Sequence, residues 1–331
     1  MNKNQNRPSL FSIHWVVNAL LAVPVFGQGS LSPPGAPMPN MKTLHQIEPR
    51  TLIDRLPFTI SSPGSYYLAD NQQSTLANGD GITINADNVT LDLVGFSLIG
   101  RGASSSGSGV MITGSRTDIL VRNGAITRWG DGGIRGMDTR ASIFEHLRIS
   151  LNGTDGLNVN DGNLILHCTT HDNGDEGLAA DEDCIIRNSS SVRNQGNGIQ
   201  TGDGCVISDC SGSMNGGDGI LAGLSSAITS CSARDNDRHG IFADEGSTVT
   251  GSSAMENASN GIHLAQGCLV SRSKAKQNNG NGFFADGHDS SIRDCSADDN
   301  GVAGFATDAK DVRVDGNHAT DNEIGFRCSD S

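Results

Sequence analysis

Aromatic and hydrophobic residues are both scarce in this sequence. Of its 331 residues, 4% are aromatic and 35% are hydrophobic, whereas 43 are glycine, well above the usual fraction of about 7%. A thick globular core needs more large side chains than this. An elongated repeat fold does not, because each repeat buries only a thin layer between its neighbours. The composition therefore favours a repeat protein.

Basic residues are few as well. The sequence holds 23 lysines and arginines against 37 aspartates and glutamates, a net charge of −14. Nucleic acid and anionic membranes attract basic surfaces, so this balance argues against both as partners. The P-loop, G-x-S-x-G and H-E-x-x-H motifs do not occur, so the sequence carries no signature of nucleotide binding, of a serine hydrolase or of a zinc protease.

The N-terminus predicts export. Lys3 and Arg7 precede an apolar run at 15–27, which is too short and too interrupted to span a membrane. We expect a signal peptide at 1–27, with a buried N-terminal helix as the alternative, and a proline-rich tether at 28–40. The protein is then secreted, periplasmic or displayed at the cell surface.

One short phrase dominates the rest of the chain: an asparagine, a glycine four residues later (three in the last repeat), and then an apolar residue. It recurs every 21 or 22 residues, beginning at Asn152, Asn173, Asn194, Asn215, Asn236, Asn257, Asn278, Asn300 and Asn322. Looser versions at Gly81, Gly109 and Gly133 bring the total to about twelve repeats.

The residues between these phrases predict strands. β-Branched residues alternate with small ones, and no 12-residue stretch of the repeats has helical periodicity. A 21-residue unit of short strands closes into one coil, and stacked coils place each asparagine over the next. We expect the asparagines to hydrogen-bond along the stack and the glycines to occupy turns with positive φ.

The phrase resembles the right-handed parallel β-helix repeats of the pectin-lyase-like superfamily, particularly its NosD/CASH-type repeats. The resemblance covers residues 80–330 and implies an all-β, single-stranded right-handed parallel β-helix (a solenoid) at 81–331. The segment 41–80, with "PFTISSPGSYYLAD", resembles the N-terminal cap of such proteins. Members include polysaccharide lyases, hydrolases and epimerases, which implies a polysaccharide or cell-surface glycan as partner. The Asp-Pro-His motif of its alginate epimerases does not occur, and no catalytic residue is carried over from the family.

The cysteines follow the repeat. Cys168, Cys210, Cys231 and Cys295 share one column with serines, and Cys184, Cys205 and Cys268 share another. Both columns predict small, inward-facing residues. Buried thiols and bridges between Cys184 and Cys205 and between Cys210 and Cys231 are the two alternatives. No Cys-x-x-Cys pair indicates structural zinc.

Acidic residues collect in the turn after the last strand of each coil. They are Asp161, Asp181, Glu182, Asp183, Asp203, Asp244, Glu245, Asp286 and Asp308. Stacked carboxylates supply the oxygen ligands that Ca²⁺ takes. A solvated turn is the alternative, and no metal ligand is assigned.

Histidines and arginines concentrate on two successive repeats. His146, Arg148 and His167 are the candidate catalytic residues, because such groups abstract the proton α to a uronate carboxylate and stabilise the resulting charge. The candidate substrate-binding residues beside them are His171, Arg187 and Arg193. The early irregular repeats at 100–109 and 128–136 are expected to flank His146 and His167. The alternative is an ordinary polar sheet face.

A second outward column contains Leu221, Phe242, His263 and Phe284. Phe242 and Phe284 are candidates for stacking on sugar rings, for a protein contact, or for coverage by the N-terminal segment.

Two functions follow from these patterns. The first is a secreted β-helix protein that binds an extracellular polysaccharide, uronates included, and cleaves it as a lyase or glycoside hydrolase. The second is a non-enzymatic surface, adhesion or structural repeat module.

Overall fold

The computed structural model of the protein describes residues 49–75, 77–102 and 104–328. The predicted signal peptide and tether, and the beginning of the predicted cap, lie outside these ranges. The described residues form 38 β-strands and no helix. Accordingly, they include no helix that could cross a membrane.

The strands are short and follow one another at regular intervals. The first nineteen are β1 Thr51–Ile53, β2 Phe58–Ile60, β3 Gly64–Leu68, β4 Gln72–Gln73, β5 Ile82–Ile84, β6 Val89–Asp92, β7 Ser97–Ile99, β8 Val110–Ile112, β9 Arg116–Thr117, β10 Ile119–Thr127, β11 Ile134–Gly136, β12 Thr139–Arg140, β13 Ile143–Ser150, β14 Leu157–Val159, β15 Leu164–Leu166, β16 Thr169–His171, β17 Leu178–Ala180, β18 Ile185–Arg187 and β19 Ser190–Val192. The others are β20 Ile199–Thr201, β21 Val206–Ser208, β22 Ser211–Ser213, β23 Ile220–Ala222, β24 Ala227–Thr229, β25 Ser232–Arg234, β26 Ile241–Ala243, β27 Thr248–Thr250, β28 Ser253–Met255, β29 Ile262–Leu264, β30 Leu269–Ser271, β31 Lys274–Lys276, β32 Phe283–Ala285, β33 Ser291–Arg293, β34 Ser296–Asp298, β35 Ala303–Thr307, β36 Arg313–Asp315, β37 His318–Thr320 and β38 Ile324–Cys328.

Each regular coil contains three strands, and each strand pairs in parallel with its counterpart in the next coil. In one coil these are β20, β21 and β22, which pair with β23, β24 and β25. The first strand of every coil belongs to a 13-stranded sheet. The second and third strands of every coil belong to a 23-stranded sheet. This sheet has two arms, one formed by the second strands and one by the third strands. The long strands β10 and β13 connect the arms, because each pairs with strands of both. The coil is therefore a triangle with three corners, and the predicted parallel β-helix is confirmed.

The 13-stranded sheet gives one strand for each coil, so the described chain has 13 coils where about twelve were expected. The additional strand is β2, which lies within the predicted cap and pairs in parallel with β5. In the same segment, β3 pairs in parallel with β6. As far as it is described, the predicted cap segment thus continues the same sheets.

A residue in the left-handed conformation turns the chain at each corner. In the coil of β20 these residues are Gly204 (φ 67°), Asp209 (φ 54°) and Met214 (φ 56°). We name the corners after residues they contain: the acidic corner (181–183 and its equivalents), the histidine corner (His146, His167 and their equivalents) and the asparagine corner (Asn152 and its equivalents). Except for Leu147 and Val312, the residue after each turn in the regular coils is small or polar and largely buried.

The predicted asparagine ladder is present. At Asn215, the backbone N–H and Nδ2 both donate to Oδ1 of Asn236 (3.1 Å each), and Nδ2 also donates to the carbonyl oxygen of Ser191 (3.2 Å). The ladder begins where the backbone N–H of Trp129 donates to Oδ1 of Asn152 (3.0 Å). It continues to Asn322, which accepts from Asn300. The ladder satisfies the backbone N–H groups of the asparagines at this corner.

The expectation that the repeat glycines need positive φ was wrong. None of the glycines from Gly156 to Gly325 in this column has a left-handed φ. Space is the reason for the glycine: a Cβ on Gly240 would lie 2.6 Å from Nδ2 of Asn257 and 2.7 Å from the carbonyl oxygen of Gly261. The left-handed positions of these coils are the corner residues, many of which are not glycine.

The core is one continuous stack of aliphatic and small side chains. Ile186, Ile207 and Ile228 are completely buried above one another. The cysteines are free thiols, buried at every position except Cys328, in agreement with the buried-thiol alternative. Some replace a hydroxyl at a corner: the backbone N–H of Cys184 donates to Sγ of Cys205 (3.3 Å), and that of Cys205 to Oγ of Ser226 (3.1 Å).

Candidate functional site

The predicted catalytic residues lie together at the histidine corner. His146 and His167 both have positive φ (53° and 52°) and are exposed, and their imidazole rings stack at 4.8 Å between centroids with 11° between planes. Arg148 points outward from β13 next to Thr169. The carbonyl oxygen of Arg187 accepts the backbone N–H of His167 (3.1 Å), so Arg187 belongs to the same corner.

The other two predicted binding residues lie at the far end of the arm, at the asparagine corner. Nδ1 of His171 lies 2.7 Å from Oδ2 of Asp172, and Arg193 donates two hydrogen bonds to the same carboxylate (2.9 Å each). Arg193 and His171 hold the pKa of Asp172 at about 2. Asp172 thus offsets the charge of Arg193, and the six residues do not form one basic groove.

The early loop at 100–109 contacts the asparagine corner. The backbone N–H of Gly102 donates to the carbonyl oxygen of Arg128 (2.7 Å), and that of Gly107 donates to a carboxylate oxygen of Asp131 (3.0 Å). Its contacts are therefore one strand away from His146. This loop borders the 13-stranded sheet on the asparagine-corner side.

Phe242 and Phe284 lie on the 13-stranded sheet, which is the side of the triangle opposite the histidine corner. The structure does not bring them together with His146 and His167. They belong to a column of outward side chains that we call the open face. It consists of Asn158, Ala179, Gln200, Leu221, Phe242, His263 and Phe284, all partly exposed.

A cavity of about 260 Å³ opens at the N-terminal end of the open face. It forms because Ala179 is small, whereas its neighbours Asn158 and Gln200 are long. Met137 and Asp181 line its edge. The walls thus offer amide, carboxylate and apolar groups, the combination that binds a hydroxylated ring.

An aromatic row (Phe242, His263 and Phe284) forms the C-terminal part of the open face. The centroid of His263 lies 5.0 Å from that of Phe242 and 5.1 Å from that of Phe284, with the planes inclined by 65° and 60°. His239 packs edge-on against His263 at 4.6 Å. Rings in edge-to-face contact hold one another in place, so the row is a fixed surface.

The two histidines of this region form a directed hydrogen-bond chain. The backbone N–H of Asn260 donates to Nδ1 of His239 (3.3 Å), so the proton of neutral His239 is on Nε2. That nitrogen lies 3.2 Å from Nδ1 of His263, whose Nε2 lies 3.0 Å from Oδ2 of Asp286. Burial, with smaller contributions from His263 and Arg238, lowers the pKa of His239 to about 4. His239 is therefore neutral at neutral pH.

An acidic cluster lies beside the cavity, on the asparagine-corner side. Carboxylate oxygens of Asp155, Asp175 and Glu176 lie within 4.8 Å of one another. Nδ2 of Asn158 donates to Asp155 (2.6 Å). Burial and the neighbouring Asp155 and Asp175 raise the pKa of Glu176 to about 7. Clusters of acidic groups are common without a metal, and we assign no metal site to this one.

Sequence reasoning placed Phe242 and Phe284 on this face but missed His239, the acidic cluster and the cavity. The sequence does contain a signal for His239 and for the acidic cluster. The residue directly before the repeat glycine is polar in successive coils: Asp155, Glu176, Asn197, Asp218, His239, Asn260 and Asn281. Because that residue borders the outward column, the pattern marks a polar rim along the open face.

The family model described as "Right handed beta helix region" matches residues 72–222, 182–271 and 248–331. Together these matches span most of the chain. The chain belongs to the right-handed β-helix family. A comparison with curated proteins found no match.

Solved structures show the same β-helix in other proteins. The A-module of mannuronan C-5 epimerase AlgE4 from Azotobacter vinelandii aligns with a TM-score of 0.58 at 13% identity, over 81% of this chain and 91% of the epimerase chain. The Dettilon tailspike protein aligns with a TM-score of 0.60 at 10% identity, over 80% of this chain and 61% of its own. A mutant of the periplasmic alginate epimerase AlgG aligns with a TM-score of 0.50 at 12% identity, over 80% and 76%. At such identities the likeness shows the fold alone.

Proposed function

We propose that this β-helix protein is secreted and binds an extracellular polysaccharide along its open face. The observation that carries the proposal is the alignment of the cavity with the aromatic row on one side of the coil. From Asn158 to Phe284 the face crosses seven coils, or about 29 Å at the usual strand spacing of about 4.8 Å. A chain of several sugar units fits this length.

Two further observations support the proposal. Two structural neighbours are named for mannuronan and alginate, which are polysaccharides. The face also has the composition of a carbohydrate site, since rings that stack on a sugar lie in line with amide and carboxylate groups that bind its hydroxyls.

Replacing both Phe242 and Phe284 with alanine is expected to weaken binding of an oligosaccharide about tenfold or more, because each ring contributes roughly 0.5–1.5 kcal/mol. Calorimetric titration of the full chain against oligosaccharides of several compositions provides the measurement. Leu269→Ala is the control, since Leu269 is 40% exposed on the other sheet. Equal binding by the double variant and the wild type would remove the open face as the binding surface.

Catalysis at the histidine corner is a second candidate function, favoured by two exposed, stacked imidazoles next to Arg148. One imidazole would remove the proton α to a uronate carboxylate, and an arginine would stabilise the negative charge. Expulsion of the glycosidic oxygen from the adjacent carbon then leaves an unsaturated sugar at the new chain end. In the described residues, neither histidine has a hydrogen bond that orients its ring.

His146→Ala combined with His167→Ala is expected to abolish the formation of unsaturated products from a uronate polysaccharide. Absorbance of the new double bond gives the rate, and His318→Ala, an exposed histidine of the last full coil, is the control. Unchanged activity in the double variant excludes the corner. If the folded wild type forms no new chain ends from any substrate, the protein is the non-enzymatic binding or adhesion module.

A further inference from the structure

We infer that the glycan bound on the open face is positively charged, as in a polymer of amino sugars, and is not a polyuronate. The inference rests on the proposed function and specifies the class of its ligand. It comes from the charges that border the cavity and the aromatic row.

Carboxylates border the open face on both sides. On the asparagine-corner side they are Asp155, Asp175, Glu176 and Asp218, and on the acidic-corner side they are Asp181, Asp244 and Asp286. Oδ1 of Asp218 accepts the backbone N–H of His239 (2.8 Å). Its Oδ2 is buried and has no hydrogen-bond partner. A ligand chain lying on the face would pass between two negative rims.

These charges have few counter-ions within the protein. Nη1 of Arg238 lies 3.6 Å from that same Oδ2 of Asp218. No lysine or arginine of the described chain forms an ion pair with Asp155, Asp175, Glu176 or Asp181. His239, on the same face, is neutral at neutral pH. The raised pKa of Glu176 has the same origin, because its burial and the two nearby aspartates disfavour another negative charge.

An ammonium-bearing sugar satisfies this environment in two ways. Its charge forms charge-assisted hydrogen bonds with carboxylates and is attracted to the faces of Phe242 and Phe284. A polyuronate brings negative charge to a negative surface, which opposes both its approach and its binding. Arg135 is exposed and lies next to Asn158 in the preceding coil, so a polyuronate would find one positive contact at the N-terminal end of the open face.

The test compares ligands that differ in charge. A β-1,4-linked glucosamine oligomer, its fully N-acetylated counterpart and a galacturonate oligomer of equal length are titrated into the full chain at a pH where the amines are protonated. The galacturonate oligomer is measured with and without Ca²⁺. We expect the glucosamine oligomer to bind about tenfold or more tightly than the acetylated one, with an affinity that falls as salt rises.

Two matched variants locate the effect. Asp181→Asn with Asp244→Asn removes one carboxylate beside the cavity and one beside the aromatic row, and is expected to weaken binding of the glucosamine oligomer about fivefold to tenfold. Asp209→Asn with Asp294→Asn makes the same change of net charge at the histidine corner, where both aspartates are exposed. This control pair is expected to keep full affinity, and circular dichroism verifies folding.

The outcomes separate the inference from the proposed function. If the acetylated oligomer binds as well as the cationic one and the Phe242 and Phe284 variant weakens both, the face binds a neutral glycan and the inference is overturned. It is also overturned if galacturonate binds in a Ca²⁺-dependent manner that the rim variant abolishes. If no glycan binds to the folded protein, the proposed function fails as well.

Discussion

Gly240→Ala is expected to destabilise the β-helix by about 3 kcal/mol or more, although it adds a single methyl group. The new Cβ would lie 2.6 Å from Nδ2 of Asn257, 2.7 Å from the carbonyl oxygen of Gly261 and 2.8 Å from Cβ of Ala254. All three atoms belong to fixed parts of the next coil. Overpacking of this kind costs about 1–3 kcal/mol, and displacing the asparagine adds the cost of unmet buried hydrogen bonds, about 1–3 kcal/mol.

Gly162, a glycine of the acidic corner, is the matched control because its position has the opposite requirement. Its φ is 63°, and no atom lies within 4 Å of the position that a Cβ would take. Asparagine tolerates this conformation, so Gly162→Asn should shift the urea midpoint very little, whereas Gly240→Asn should be worse than Gly240→Ala. If Gly240→Ala leaves the urea midpoint unchanged, or if substitutions at Gly240 and Gly162 lower it equally, close packing is not the reason for the repeat glycine.

Asn215→Ala is expected to lower the free energy of unfolding by about 3 kcal/mol or more. Oδ1 of Asn215 accepts both the backbone N–H (3.0 Å) and Nδ2 (3.1 Å) of Asn194. Its own Nδ2 donates to Ser191 and Asn236. Alanine leaves buried donors on one side and a carbonyl oxygen on the other, and each unmet group costs about 1–3 kcal/mol.

The adjoining Gln195 offers the control for this ladder. Gln195 is exposed and forms hydrogen bonds through its backbone, to Asn173 and Gly216, so Gln195→Ala should leave the urea midpoint nearly unchanged. Asn215→Asp tests the direction of the ladder: its second carboxylate oxygen would face the two acceptors that Nδ2 now satisfies, and the loss should approach that of alanine. If Asn215→Ala unfolds at the wild-type urea concentration, the ladder contributes little to stability.

The sequence alone was sufficient for the fold because the repeat makes local and global requirements coincide. Asn152 and its equivalents recur at a fixed spacing, and only stacked coils let buried asparagines satisfy one another. The apolar and small columns identified the core for the same reason. The thirteenth coil was missed because β2 follows no glycine of the repeat.

The physical role of the repeat glycine was decided by tertiary structure. Turn geometry and close packing both select glycine, and a sequence does not distinguish them. The folded coil distinguishes them, because the side-chain amide of Asn257 lies 2.6 Å from the place that a Cβ at Gly240 would take.

The candidate sites depended still more on three-dimensional information. Sequence patterns grouped His146 with His167, which do stack, because one column of a regular repeat stays one column in space. They also grouped Arg193 with these histidines, although it lies at another corner and pairs with Asp172. The cavity at Ala179 and the hydrogen bond from His263 to Asp286 join residues of different columns. The spacing of a repeat sets which residues stack, but the angles at the three corners set which columns face one another, and those angles appear only in the folded coil.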